Sequence, residues 1–316
     1  MISIGIDIGG TFVKFFAVND KKRILKTDKI PTYTTLGGNA FLAQLSRIVN
    51  EWRGEFKDKS VVIGVGIAGD TDPNKGVLRW APNIPWHNLK VAQVMKENTG
   101  CECYVSNDAN MAAWGVFDRE FKGKYKNMII VTLGTGIGGG IIINGALYQG
   151  ADGSAGELGH MKIDFAPDAP LCGCGQRGCL ESYAGTKGIL RMAQAASAKY
   201  PKSILANLIN TEEFSVSLLS QAAAQEDEVA LNLWKEIGSY LGRGLADMVL
   251  LLNPDAIVLA GGVSRGAKYF LPSVREVFEK QAVKTPFKNV KILLSKEGNI
   301  GGVGAALYAL HKANEK

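Results

Sequence analysis

Apolar and polar positions alternate along the first nineteen residues, "ISIGIDI" and then "FVKFFAVN", on either side of the short turn "GGT". A period of two broken by a tight small-residue turn predicts two antiparallel strands. The pattern returns at 128–144, "MIIVTLGTGIGGGIIING", where an apolar strand again runs into a loop of Gly and Thr and a second apolar strand leaves it. Such a weak internal repeat predicts two domains of related construction facing each other. Between the copies, 60–69 and 101–108 read as strands, with Cys101 and Cys103 alternating on the second as core residues. Residues 38–52 and 88–99 have helical spacing, and Asn88 is the expected N-cap of the latter. Beyond 183 the helical period dominates, at 183–200, 215–225, 226–252, 267–282 and 301–313, with buried strands at 256–260 and 290–294. Strands interleaved with helices define an α/β chain.

Composition narrows the possibilities. At 316 residues the chain exceeds what one core usually fills, so two domains are expected. Its 46% apolar and 21% charged residues are those of a globular protein. The net charge of +6 is spread out, and its densest cluster, "KKR" at 21–23, falls at a hairpin turn, so no nucleic-acid partner is expected. The most apolar stretch, 245–263, is broken by Asp247 and by "NPD" at 253–255 and is read as a helix end, a turn and a strand, with no membrane span. The start "MISIGIDIGG" reads as a strand and not as a signal peptide, which leads us to expect a cytoplasmic protein. Five cysteines, an odd number without an export signal, argue against a disulfide framework.

Three glycine loops are candidates for phosphate or nucleotide. "GVGIAG" at 64–69 matches the dinucleotide fingerprint, but "DTDPNKG" follows it, a turn where the pyrophosphate would need a helix N-terminus, so a dinucleotide site is rejected. The loops at Gly9, Gly10 and Thr11 and at Gly134, Thr135 and Gly136 sit at hairpin turns, where backbone N–H groups can meet anionic oxygens without side-chain obstruction. Each is also an ordinary hairpin turn when taken alone; together they are harder to dismiss. Asp7, ending the first strand, suits a hydrated Mg²⁺, and Lys14 can add charge. "LAGGVS" at 259–264, with Gly261 and Gly262, could let a flat nucleobase lie against the backbone. "DIGGTFVK", "LGTGIGGG" and "LAGGV" resemble the two phosphate motifs and the adenosine motif of the actin, hexokinase and Hsp70 superfamily. That resemblance implies two RNase H-like domains, the actin-like ATPase fold, clamping MgATP in an interdomain cleft.

"CGCGQRGCLE" at 172–181 places three cysteines in a glycine-rich loop. A redox switch or buried small side chains are alternatives, but the spacing favours a metal. Cys172, Cys174 and Cys179 with His160 of "GELGH" make four ligands for a structural Zn²⁺.

"GH" followed by "CGCGQRGCLE" closely resembles the signature of the ROK family of repressors, open reading frames and sugar kinases. The resemblance covers essentially the whole chain. ROK repressors carry an additional N-terminal helix-turn-helix domain for which this sequence leaves no room, so the kinase branch is expected. The resemblance implies that Asp108 of "SNDAN", which follows a strand and opens a helix, is the catalytic base acting on the primary hydroxyl of a hexose; read without it, Asp108 is a helix N-cap. It further implies that Asn83, Asn107, Glu157, His160 and Glu181 bind the sugar, with His160 ligating zinc through its other ring nitrogen. Transfer from ATP to the 6-hydroxyl of glucose is the first choice, because "PNIPWHN" looks like the glucokinase branch, although many relatives have Gly before the Trp where this chain has Pro85. An N-acetylglucosamine or N-acetylmannosamine kinase is the runner-up, with fructokinase also open, and a sugar-sensing protein without turnover is the alternative of another class. The expected domains are 1–115 with 301–316, and 116–300 carrying the zinc loop. Hinges are expected near 114–127 and 296–302, and a homodimer is expected from the resemblance.

Overall fold

The structure, a computed structural model, describes residues 1–33, 35–56, 59–81, 84–297 and 300–315. In chain order the elements are β1 (Ile2–Ile8), β2 (Phe12–Asn19), β3 (Ile24–Pro31), α1 (Gly38–Glu55), β4 (Val61–Ile67), β5 (Asp70–Asp72), β6 (Val77–Trp80), α2 (Val91–Thr99), β7 (Cys103–Asn107) and α3 (Asp108–Val116). There follow β8 (Met128–Leu133), β9 (Ile137–Ile143), β10 (Ala146–Tyr148), α4 (Glu181–Ala184), α5 (Thr186–Lys199), α6 (Ile204–Thr211), α7 (Val216–Ala224) and α8 (Glu228–Leu252). The chain ends with β11 (Ala256–Ala260), α9 (Ala267–Glu279), α10 (Lys284–Asn289), β12 (Lys291–Leu294) and α11 (Ile300–Asn314).

The α/β class is as expected, and the repeat seen in the sequence becomes a repeat of topology. One sheet has the order β3-β2-β1-β4-β7 and the other β10-β9-β8-β11-β12. In the first, β1 pairs antiparallel with β2 and parallel with β4. In the second, β8 is likewise parallel to β11, and β11 to β12. The chain divides into two compact units, Met1–Lys126 with Gly140–Gly156 and Glu297–Lys316, and Asn127–Gly139 with Glu157–Lys296. It therefore passes from one unit to the other at 126/127 and 296/297, and also at 139/140 and 156/157. Residues 298–299, within the second expected hinge, lie outside the described residues.

In the first unit, strict alternation puts Ile2, Ile4, Ile6 and Ile8 of β1 into a core with Phe41, Leu42, Leu45 and Val49 of α1, all at most 1% exposed. The opposite face of the sheet receives α11, and only glycine permits the approach. A Cβ on Gly5 would lie 1.9 Å from the Gly302 carbonyl oxygen, and one on Gly64 1.9 Å from that of Ala305. Gly64 of the fingerprint-like stretch thus serves packing, and β5 and β6 follow that stretch where the fingerprint would need a helix. The second unit has its own core, built around Trp234, Ile237, Leu241 and Leu245 of α8 against Val258's neighbours Ile257 and Leu259 and against Phe270 and Val274 of α9. Asp227 caps α8, accepting from Val229 N–H at 2.9 Å, and also accepts from Leu205 N–H at 2.6 Å. The expected break of 245–263 into helix, turn and strand is seen, with Asn253 ending α8 in the left-handed conformation.

Several expectations need correction. Asn88 is not a helix cap: it has a φ of 50°, and α2 starts three residues later at Val91. Cys101 is buried but precedes β7, which starts at Cys103, so the two cysteines do not alternate on one strand. The helix expected at 183–200 is two, α4 and α5, parted by Gly185 in extended backbone. Strands β3, β5, β6 and β10 and helices α6 and α10 were not expected from the sequence. No helix among the described residues is long and apolar enough to cross a membrane.

Candidate active site

In the first unit, the end of β1 and the start of α3 bring two carboxylates together. Asp7 stands opposite Lys14 in the β1–β2 ladder. Burial, then the charge of Asp108, pushes the Asp7 carboxyl up to about 6, while Lys14 acts in the opposite direction. The start of α11 abuts the same carboxylate, since a Cβ on Gly301 would lie 3.2 Å from it. Asp108 is the first residue of α3, immediately after β7. Burial raises its carboxyl above the ordinary range, opposed by hydrogen bonds from the Ala109 N–H, at 2.9 Å, and from its own N–H.

Asp108 is not the helix cap. That role belongs to Asn107, whose Oδ1 accepts from Ala109 N–H at 2.8 Å and Asn110 N–H at 3.4 Å, while Nδ2 donates to the Gly69 carbonyl at 3.0 Å. Capping thus commits most of the Asn107 amide to the fold, while the Asp108 carboxylate shares the Ala109 N–H with it. Gly9 donates its N–H to the Phe12 carbonyl at 3.1 Å, and its own carbonyl accepts from Thr32 Oγ1 at 2.7 Å, leaving Gly10 and Thr11 exposed at the tip of the hairpin. Asn83 lies outside the described residues. Sequence reasoning missed Arg79, which binds Asp70 Oδ1 and the Thr71 carbonyl at 2.9 Å and the Asp152 carbonyl at 2.6 Å, fastening the β5–β6 hairpin to the 150–156 loop.

In the second unit, two loops leave the carboxyl ends of the adjacent parallel strands β8 and β11, the edge of such a sheet where ligands are usually held. Gly261 has a φ of 94°, and a Cβ there would lie 2.4 Å from the Leu133 carbonyl oxygen, so glycine is required; Gly134 and Gly262 have open space around the position of a Cβ. The turn 134–136 is held by Gly134 N–H donating to the Gly136 carbonyl at 2.9 Å. From outside the turn, Thr186 donates both its N–H, at 3.0 Å, and its hydroxyl, at 2.8 Å, to the Gly134 carbonyl. Glu181 Oε2 accepts from Ile137 N–H at 2.9 Å. Neither contact was foreseen, although a Gly-Thr pair opening a helix at 185–186 is a signal that could have drawn attention to Thr186.

His160, Cys172, Cys174 and Cys179 converge, with their ligand atoms all within 4.8 Å of one another. Cys174 Sγ lies 3.7 Å from Cys179 Sγ, and Cys172 Sγ lies 3.7 Å from His160 Nδ1. Zinc at about 2.3 Å from each sulfur would set tetrahedral edges of about 3.8 Å, which the two 3.7 Å contacts match, so the donor set suits that ion. Nδ1 of His160 faces Cys172, and Nε2 faces Glu157, 3.9 Å away. The loop is braced by Tyr183 of α4, which donates to Asp164 and stacks on Tyr240 of α8 at 3.8 Å. That bond holds the Asp164 carboxyl below its usual range.

With this geometry in place, comparison with known proteins is informative. The model of the ROK family matches residues 3–312, and the chain belongs to the ROK family. It is 34% identical over 311 residues to a glucokinase of Streptomyces coelicolor, covering 96% of each chain. It is 31% identical over 234 residues to a xylose repressor of Caldicellulosiruptor bescii, covering 74% of this chain and 58% of the repressor. Among solved structures, a ROK family glucokinase from Streptomyces griseus, in complex with glucose and AMPPNP, superposes with a TM-score of 0.79 at 33% identity, covering 98% of this chain and all of that one. The fold is accordingly the actin-like ATPase fold of the ROK sugar kinases.

Proposed function

We propose that the protein is an ATP-dependent hexose kinase that phosphorylates the 6-hydroxyl of glucose. The observation that carries this reading is Asp108: a carboxylate at a helix start, relieved of capping by Asn107 and made more proton-avid by burial. Phosphoryl transfer to a hydroxyl needs such a group, placed to take the proton as the oxygen attacks the γ-phosphorus and ADP leaves. The similarity to glucokinases supports glucose and ATP as the substrate pair.

In this reading Asp7 holds a hydrated Mg²⁺ with the phosphates, and Lys14 and the backbone of Gly9, Gly10 and Thr11 add positive potential. Magnesium would supply neutralisation of charge on the transferring group. Gly134, Thr135 and Gly136 contact phosphate, and Gly261 and Gly262, bare at the end of β11, admit the adenosine. Glu157 and the outward Nε2 of His160 meet sugar hydroxyls, Glu181 and Asn83 adding to them, while the remaining Nδ2 hydrogen of Asn107 is free to donate to one. His160, Cys172, Cys174 and Cys179 hold a structural zinc, whose service is to fix the ring of His160.

A sugar-sensing protein without turnover is the second reading, favoured by the similarity to a xylose repressor. The two are separated by measuring ADP release with MgATP and glucose, fructose, N-acetylglucosamine or N-acetylmannosamine. Turnover with glucose that Asp108→Asn lowers by about 10²- to 10⁴-fold establishes the kinase and its base. Preference for an N-acetylated sugar would overturn glucose alone, and sugar binding without ADP release would establish the sensor.

A further inference from the structure

The metal loop and the second glycine loop are mechanically joined. Cys172 Sγ lies 3.7 Å from Glu181 Oε1, and the other oxygen of that carboxylate takes the Ile137 N–H. Five residues on, Thr186 takes the Gly134 carbonyl twice. The turn 134–136 is therefore gripped at both ends by the single segment 181–186, which emerges directly from the last zinc ligand at Cys179. Gly136 is fitted to this grip, because a Cβ there would lie 2.3 Å from Glu181 Oε2.

A turn built from glycines has wide conformational freedom, and one that binds phosphate through backbone N–H groups works only if its peptide planes are aimed in advance. We propose that Glu181 and Thr186 are positioning residues for the nucleotide: they brace the 134–136 turn in its phosphate-binding shape and tie it to the Cys/His loop. The inference rests on the kinase reading. It gives Glu181 a task separate from meeting the sugar, and it makes nucleotide affinity depend on a threonine that contacts neither substrate.

The test is direct binding of AMPPNP with Mg²⁺ in the absence of sugar, by calorimetry on the zinc-loaded protein, with glucose binding measured separately. Thr186→Val keeps the backbone bond and deletes the hydroxyl; it should weaken AMPPNP by about three- to fivefold and leave glucose binding unchanged. Glu181→Ala should weaken AMPPNP by about tenfold, and Glu181→Gln, whose amide oxygen can still accept from Ile137 N–H, should restore most of that loss. Zinc content and melting temperature report whether each variant folds, and if Glu181→Ala does not, Thr186→Val carries the test. AMPPNP binding within about twofold of the parent in the folded variants overturns the bracing role. Failure of the parent itself to bind AMPPNP overturns the kinase reading, and this inference with it.

Discussion

Gly136 and Glu181 exclude any side chain between them: a Cβ on Gly136 would stand 2.3 Å from Glu181 Oε2, the oxygen that accepts the Ile137 N–H. Carboxylate and glycine thus share one requirement. Gly136→Ala should expel the carboxylate and break the bond to Ile137, so its effect should duplicate that of Glu181→Ala on the 134–136 turn. The double variant should cost no more than the worse single one, a coupling of about 1 kcal/mol in a double-mutant cycle of unfolding free energies. Additive losses would show that the two act separately.

Asp7 makes the ligand-free protein less stable as pH rises. Its carboxyl is raised from 3.8 to about 6 by burial and by Asp108, so the fold favours the neutral form. A raised value contributes stability that is fully present below the ordinary value near 3.8 and is lost as pH rises through about 6. A rise of that size corresponds to roughly 3 kcal/mol. Denaturant unfolding of the parent and of Asp7→Asn between about pH 4 and pH 7 should therefore diverge, the variant gaining roughly 2–3 kcal/mol on the parent at the upper end. In an Asp108→Asn background the divergence should shrink, because one of the two causes of the shift is gone. Parallel curves in both backgrounds would refute the coupling.

Two glycine-to-alanine changes in the first unit should have opposite signs. Gly64 of β4 lies beneath α11, where a methyl group would press on the Ala305 carbonyl oxygen at 1.9 Å, and backbone cannot move aside as a side-chain tip can. Gly64→Ala should destabilise by about 3 kcal/mol or more through overpacking. Gly54 lies in α1 with open space around the position of its Cβ, so Gly54→Ala should stabilise by up to about 1 kcal/mol through helix propensity. Urea unfolding of the whole chain decides both, and an unharmed Gly64→Ala would mean that α11 does not sit where the structure has it.

What could be read from the sequence was whatever its local pattern determined. The strand-turn-strand repeat at 1–19 and 128–144 anticipated two sheets of one topology because alternation and small-residue turns are local signals. The convergence of His160 with Cys172, Cys174 and Cys179 was legible because ligand chemistry and spacing leave few other partners. β3 was not legible: "ILKTDKIP" is largely exposed at a sheet edge, and its register comes from pairing with β2. Nor was the cap of α3, since Asn107 and Asp108 are both good capping residues and only the Oδ1 contacts distinguish them. The grip of 181–186 on the glycine turn joins positions more than forty residues apart, a distance that no local pattern spans.

The Cys/His loop offers the sharpest test of how structure would be divided between a bound ion and the core. Its backbone is pinned at a few points: Cys172 N–H to the Gln176 carbonyl at 2.7 Å, Gly175 N–H to the Cys172 carbonyl at 3.0 Å, and Leu180 N–H to the Met161 carbonyl at 2.9 Å. Cys174 is exposed, whereas Cys179 is almost fully buried and burial pushes its thiol well above the ordinary range. Burial likewise raises the Cys172 thiol, whereas that of Cys174 is lowered, burial there being outweighed by hydrogen bonds from the Gln176 N–H and the neighbouring thiols, so gathering all three sulfurs as thiolates needs a cation to offset their charge. The helices and strands of the second unit, in contrast, rest on the core around Trp234 and Phe270. Metal analysis should find one zinc ion per chain. Chelation, or Cys174→Ser, should lower the melting temperature and abolish sugar turnover while far-ultraviolet circular dichroism stays close to that of the parent. Because thiolates must be deprotonated to bind, release should also occur as pH falls. Full activity in protein shown to be free of metal would refute a structural zinc, and collapse of the dichroism signal on chelation would show that the ion holds the whole unit and not the loop alone.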